Sequence, residues 1–129
     1  MEDNYEQRLK KNLIVSLSLQ LATEIVEYCA ALRELKQFEI SSQLLRAGTS
    51  VGANVWESQH SESNKDFIHK MKIASKECNE TAFWLTLCSQ SKELPSPGKV
   101  SFTQQSVGRV LSKIIASSKQ REAQKTSKI

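Results

Sequence analysis

The stretch "SNKDFIHKMKIASKECNETAFWLTLCSQ", residues 63–90, decides the fold of this chain. Its apolar and small residues recur at alternating spacings of four and three: Phe67, Met71, Ala74, Cys78, Thr81, Leu85 and Cys88. This spacing forms one stripe along a helix that packs in a left-handed bundle. Ser63 and Asp66 form a capping box, so the helix should begin near Asn64. The two prolines of "LPSPG" should end it by residue 92.

Two further segments show the same rhythm. Helix one carries it at Ile14, Leu17, Leu21, Ile25, Tyr28, Leu32 and Leu35. After the "SPGK" turn, Ser101 and Gln104 predict another capping box. The fourth helix then presents Val107, Leu111, Ile114 and Ser118. The polar end "SSKQREAQKTSKI" has no apolar face, which predicts a tail that frays into disorder.

The stretch "RAGTSVGANVWE", residues 46–57, contains two of the four glycines and invites comparison with a phosphate-binding loop. A P-loop would need a preceding strand and a Lys-Ser/Thr pair, and the sequence has neither here. The 4-3 spacing instead crosses both glycines, at Ile40, Leu44, Ala47, Val51 and Asn54. We therefore place the stretch inside helix two. Because each interior glycine costs about 1 kcal/mol, Gly48 and Gly52 should mark close packing against another helix.

The sequence thus predicts a single all-α domain over residues 1–129, an up-down-up-down antiparallel four-helix bundle. The helices are expected at roughly 9–36, 39–60, 64–92 and 102–120, followed by a basic tail at 121–129. Short connections make neighbouring helices antiparallel. Three cysteines without a C-x-x-C pair indicate reduced thiols in a cytoplasmic protein. Ser, Gln and Glu interrupt the apolar residues of helix one, so we expect no membrane span.

The net charge of +4 is unevenly distributed. From Arg109 onward there are six cations and one anion, Glu122. A basic last helix suits an anionic partner such as RNA or DNA. The predicted nucleic-acid-binding residues are Arg109, Lys113, Lys119, Arg121 and Lys125. The alternative is a solvated helix whose cations favour the negative end of its dipole.

A second set of polar residues flanks the apolar rows of helices two and three. Because partly buried charges must be paired, we predict a polar clamp that fixes helix register or a subunit contact. Its predicted members are Arg46, Asn54, Glu57, Glu77 and Glu80. This structural role is favoured over a general acid/base site, and Trp84 is expected to be core.

Two carboxylate–histidine pairs resemble half of a di-iron bundle motif: Glu57 with His60, and Asp66 with His69. Both pairs flank a short turn at one end of the bundle, so we expect solvated helix ends and no metal or other cofactor. No Ser-His-Asp or Cys-His arrangement indicates a nucleophile. The sequence therefore predicts a protein that is not an enzyme.

Residues 41–85 closely resemble the signature of the 23S rRNA intervening sequence protein family, also called the four helix bundle family. The matching pieces are "QLLRAGTSVGANV", "DFI" and "ETAFWL", and weaker agreement extends the resemblance over roughly residues 10–120. The resemblance implies a bundle often assembled as a ring-shaped homopentamer, without established enzymatic activity. The accessory variability determinant of diversity-generating retroelements, a basic pentamer that binds nucleic acid and a reverse transcriptase, looks like a relative of this family.

Together these observations predict a non-enzymatic binding or assembly module that contacts nucleic acid through helix four without strong sequence specificity, and the resemblance implies that it forms a ring. The alternative is a protein–protein adaptor, with a partner such as a reverse transcriptase, that does not bind nucleic acid. A carboxylate-bridged metal protein is the third alternative.

Overall fold

The computed structural model describes residues 12–127, and every regular element within this range is an α-helix. The helices are α1 (Leu13–Glu34), α2 (Phe38–Ser58), α3 (Asn64–Gln90) and α4 (Gly98–Ser127). α1 and α3 each pack against both α2 and α4, which leaves α1 diagonal to α3 and α2 diagonal to α4. Because the connections are short, neighbouring helices run in opposite directions. The chain is an all-α four-helix bundle, as predicted.

The core lies where the predicted stripes meet. In α3 the whole stripe is buried except Phe67, which is half-buried. In α1 the stripe is buried or half-buried up to Leu32, but Leu35 is exposed. The prediction for Leu35 is wrong because α1 ends at Glu34 and Lys36, at φ 61°, turns the chain toward α2.

α1 is the most apolar of these helices. Within residues 12–127 it is the one helix long and apolar enough to cross a membrane on length and composition alone. Its interruptions therefore do not exclude a span by themselves, contrary to the expectation from the sequence. In the bundle, its fully buried residues Leu21, Ile25 and Leu32 belong to the core. The fold thus accounts for the apolar face of this helix.

α2 runs through both glycines, and α1 lies directly against them. A Cβ atom at Gly48 would sit 2.8 Å from Cγ1 of Ile25. At Gly52 it would sit 3.3 Å from the backbone oxygen of Ser18. Real Cβ contacts are rarely this short, so both positions favour a residue without a side chain.

The start of α3 follows the predicted capping box. The Ser63 hydroxyl accepts a hydrogen bond from the Asp66 N–H at 3.0 Å, and the Asp66 carboxylate accepts one from the Glu62 N–H at 3.2 Å. The first bond satisfies an N–H group that the first turn leaves without a helical partner, and the second ties the residue before the N-cap to the helix. The helix accordingly begins at Asn64.

The start of α4 differs from the sequence prediction. The helix begins at Gly98, because the Pro97 carbonyl already accepts a hydrogen bond from the Ser101 N–H at 2.8 Å. Ser101 and Gln104 therefore lie inside the helix, and the predicted capping box is wrong. The Gln104 side-chain amide instead donates to the Cys78 carbonyl of α3 at 3.3 Å.

The end of α4 also differs, since the helix continues to Ser127 where a disordered tail was predicted. The Asn64 amide donates to the Ser118 carbonyl at 3.0 Å and to Oε1 of Glu122 at 2.9 Å. The residues beyond Ser118 are mostly strong helix formers. A tertiary contact and local propensity together extend the helix. The predicted start of helix one at residue 9 and the last two tail residues lie outside the described range.

Candidate functional site

The first candidate site is the Arg46 cluster, formed by Arg46 of α2 with Glu77, Glu80 and Trp84 of α3. Nη1 of Arg46 lies 3.6 Å from Oε1 of Glu77, and its Nη2 pairs with the Glu80 carboxylate. The Trp84 indole N–H donates to Oε2 of Glu80 at 3.2 Å. Residues three and four apart share a helix face, which explains why Glu77 and Glu80 meet one arginine and why Trp84 reaches Glu80.

The Arg46 cluster lies at the surface rather than in the core. The side chains of Arg46, Glu80 and Glu77 are 52%, 37% and 17% exposed. Exposed ion pairs contribute little stability, about 0–1 kcal/mol, and the 3.6 Å contact to Glu77 is longer than a hydrogen bond. The arrangement joins α2 to α3 through one arginine and two carboxylates.

The structure does not bring Asn54 and Glu57 to the Arg46 cluster. The Asn54 amide donates to the Ser50 carbonyl of its own helix at 2.9 Å, and Glu57 is exposed. They lie eight and eleven residues beyond Arg46, which is about 12 and 16 Å along the helix axis. Helical spacing places Arg46, Asn54 and Glu57 beside the same apolar row. They lie at different positions along the helix axis, however, and so cannot meet.

The two carboxylate–histidine pairs lie at solvated helix ends. Asp66 binds Nζ of Lys70 at 3.0 Å, and this hydrogen bond, with the Glu62 N–H, holds the pKa of Asp66 below its usual value. Glu57, His60 and His69 are exposed. In the part of the chain that the structure describes, no three His, Cys, Asp or Glu side chains group as a metal ion would require.

The three thiols are buried in the core: Cys29, Cys78 and Cys88. Burial raises the pKa of each, because a thiolate is poorly solvated there. The Cys29 thiol donates to the Ser41 carbonyl at 3.4 Å, and the Cys78 thiol to the Gln104 carbonyl at 3.6 Å. Neutral, enclosed thiols are suited to packing rather than to nucleophilic chemistry.

The second candidate site is the set of cations on α4, which the structure divides between two places. Arg109 and Lys113 line a groove shared with α3. Arg121 and Lys125 line another groove, beside Asn64 at the end of the bundle. Lys119 is exposed and lines neither groove. The five predicted cations therefore do not form one continuous patch on a single chain.

These cations have no carboxylate partners within residues 12–127. Arg109 donates to the Ser106 hydroxyl at 3.3 Å, and Arg121 to the Ser118 hydroxyl at 3.1 Å. The surrounding charge is also one-sided. α3 and α4 carry ten Lys and Arg against four Asp and Glu, whereas α1 and α2 carry two against five. One half of the bundle is positive and the other half negative.

The sequence reasoning missed the exposed apolar side chains. Leu19 and Val26 lie seven residues apart on α1, and Phe83 and Leu87 lie four apart on α3, so each pair shares one helix face. Phe102 of α4 is the most exposed large apolar residue described, at 69%. The sequence pattern could have identified them, because these five large apolar residues fall outside the core stripes and should therefore be exposed.

Comparisons with known proteins agree with this architecture. A family model described as "23S rRNA-intervening sequence protein" matches residues 10–122. A solved structure from Bacteroides thetaiotaomicron VPI-5482, a protein with unknown function from the S23 ribosomal protein family, is 36% identical to this chain. The two align with a TM-score of 0.76 over 79% of this chain and 97% of that one. No curated protein matches the chain.

Proposed function

This chain belongs to the 23S rRNA-intervening sequence protein family, and from that premise we propose a non-enzymatic module that assembles into a ring and binds nucleic acid through α4. The proposal depends on the α4 cations, which have no carboxylate partners among the described residues and lie on the positive half of the bundle. Unpaired Lys and Arg side chains on one side of a fold form the electrostatic footprint of a phosphate-binding surface.

The cations favour contact with the phosphate backbone over sequence readout. Lysine and arginine on an exposed helix bind phosphate oxygens without information about the bases. Each neutralised phosphate releases counterions, so the logarithm of the affinity should fall linearly with the logarithm of salt concentration. We therefore expect binding that depends strongly on salt and weakly on sequence.

The test replaces Lys119, Arg121 and Lys125 together by Ala and measures duplex DNA binding by fluorescence anisotropy over a salt series. The slope should flatten by up to about three, since each lost phosphate contact contributes about 0.9. Circular dichroism checks that the variant keeps its helices. An unchanged affinity and slope in a folded variant would favour the protein–protein adaptor instead.

We place the ring contact on two apolar patches at diagonal corners of the bundle. Leu19 and Val26 form the patch on α1, and Phe83 and Leu87 form the one on α3. A closed ring needs a head-to-tail contact between two different surfaces of each subunit. Two exposed apolar patches on diagonal helices meet that requirement. The ring size of about five is taken from the family resemblance.

Light scattering at micromolar concentration should give a mass of about five 14.5 kDa subunits. Val26→Lys should lower that mass, because it would bury a charge in the contact. Glu27→Lys, a control at the neighbouring exposed position, should have a smaller effect. A monomer mass for the unmodified protein would contradict the ring. A ring would also multiply the available α4 cations, which raises nucleic-acid affinity by avidity.

A further inference from the structure

We propose that the groove between α3 and α4 binds single-stranded nucleic acid, with the ring of Phe102 stacking on an unpaired base. This inference rests on the proposed nucleic-acid binding and deepens it by naming the strand type and the place. The α3–α4 groove has a volume of about 570 Å³. Its lining residues are Ser75, Asn79, Gln105, Gly108, Arg109, Ser112 and Lys113.

Within residues 12–127, the side chains that line the α3–α4 groove are polar or basic and include no carboxylate. Ser, Asn and Gln side chains offer both donors and acceptors, which suits sugar hydroxyls and base edges. Gly108 has no side chain, so nothing at this position fills the groove. The groove therefore admits an anionic chain without repelling it.

Cations stand on both edges of the α3–α4 groove. Arg109 and Lys113 line it from α4. Lys72 and Lys76 of α3 are exposed and precede two lining residues, Ser75 and Asn79, by three positions. Residues three apart are neighbours on a helix surface, which places these lysines beside the groove. A backbone in the groove would meet positive charge on either side.

Phe102 supplies an aromatic face next to these cations. It is 69% exposed and lies three residues before Gln105 and seven before Arg109, on the same side of α4. Phe83 does not share this role, because its ring packs edge-on against Trp84 with centroids 5.0 Å apart. An exposed aromatic ring beside a cationic groove is the combination that proteins use to bind single strands.

The exposed ring distinguishes a single strand from a duplex. In a duplex the base faces are stacked inside the helix, so the Phe102 ring would have no partner. An unpaired base offers its face at no cost in strand separation. From Gln105 to Lys113 the groove lining extends about 12 Å along α4, and Phe102 lies one turn before it. The α3–α4 groove is therefore long enough for more than one nucleotide.

The experiment measures fluorescence anisotropy with oligothymidine and oligouridine of about 12 nucleotides and with a duplex of the same length. The single strands should bind more tightly than the duplex, and comparing them separates DNA from RNA. Phe102→Ala should weaken single-strand binding about tenfold and leave duplex binding unchanged. Phe102→Leu keeps apolar bulk without the aromatic ring and should also weaken it.

Phe38→Ala is the matched control, because Phe38 is 60% exposed at the start of α2, away from the groove. It should leave all affinities unchanged.

Lys72→Ala combined with Lys76→Ala should weaken single-strand binding and flatten its salt slope by up to about 1.4, at roughly 0.7 per contact.

The outcomes separate this inference from the proposed function. The unmodified protein could bind single strand and duplex equally, with no effect of Phe102→Ala but weaker binding when Lys119, Arg121 and Lys125 are replaced. That result would refute the α3–α4 groove as the binding site and leave the proposed nucleic-acid binding standing. A preference for duplex would do the same. Absence of binding to all three probes would overturn both.

Discussion

Replacing Gly52 by Leu should destabilise the bundle, because α1 already occupies the space that the new side chain needs. A Cβ atom at this position would lie 3.3 Å from the Ser18 carbonyl oxygen and 3.9 Å from Cβ of Ala22. The three further carbons of Leu must therefore push α1 away or leave their preferred rotamers. Because the nearest atom belongs to a helix backbone, it cannot rotate aside as a side chain could.

Two opposing terms set the size of the effect. Overpacking a well-packed contact costs about 1–3 kcal/mol, and the backbone position of the obstacle favours the upper end. Removing a glycine from a helix interior returns up to about 1 kcal/mol. The free energy of unfolding should therefore fall by about 2 kcal/mol. At about 4 °C per kcal/mol for a chain of this size, Tm should fall by about 8 °C.

The assay is thermal unfolding followed by circular dichroism at one fixed protein concentration. Ala53→Leu is the matched control, since Ala53 is the next residue of α2 and is exposed; it should shift stability by less than about 0.5 kcal/mol. Gly52→Ala adds only the Cβ atom, so its Tm should lie between those of Gly52→Leu and the unmodified protein. Close packing at Gly52 would be refuted if Gly52→Leu had the same Tm as the unmodified protein, or if Ala53→Leu had a Tm as low as that of Gly52→Leu.

Three further predictions concern contacts described above. Arg46→Ala should lower the free energy of unfolding by about 1 kcal/mol, and a double-mutant cycle with Glu80→Gln in urea unfolding should show coupling; strictly additive losses would contradict the pairing. Asn64→Ala removes both hydrogen bonds to α4, so amide hydrogen exchange beyond Ser118 should accelerate while the core stays protected, and unchanged exchange would count against that anchor. The three buried thiols have pKa values raised above those of the unfolded chain, so the unfolded state loses protons first. Stability should therefore fall as pH rises above about 8.5 toward the folded values; a triple Cys→Ala variant with the same decline in urea unfolding would refute this cause.

The sequence predicted the bundle because its core repeats regularly. The 4-3 stripe of α3 is nearly continuous, so its burial follows from helix geometry alone. The unbroken spacing through Gly48 and Gly52 likewise distinguished helix from loop, since a loop has no reason to keep a helical period. The pairing of Arg46 with Glu77 and Glu80 could be proposed because charges beside an apolar row need partners.

What the sequence could not predict depends on contacts between distant residues. The polar end of α4 has no apolar face, and the hydrogen bonds from Asn64 that anchor it join residues more than 50 positions apart. Ser101 and Gln104 match a capping pattern, but Pro97 starts the helix one turn earlier. The division of the α4 cations between two grooves depends on which residues of other helices lie beside α4 along its length. Local patterns do not contain that information.

The apolar character of α1 has a consequence during synthesis on the ribosome. α1 is complete at Glu34, but α4, against which part of its apolar face packs, begins only at Gly98. At about 5–20 residues per second, translation leaves that face without its final partner for about 3–13 s. During this interval the nascent chain contains a 22-residue segment that resembles a membrane segment in length and hydropathy. Chaperones that shield apolar nascent segments should therefore bind the emerging chain at α1.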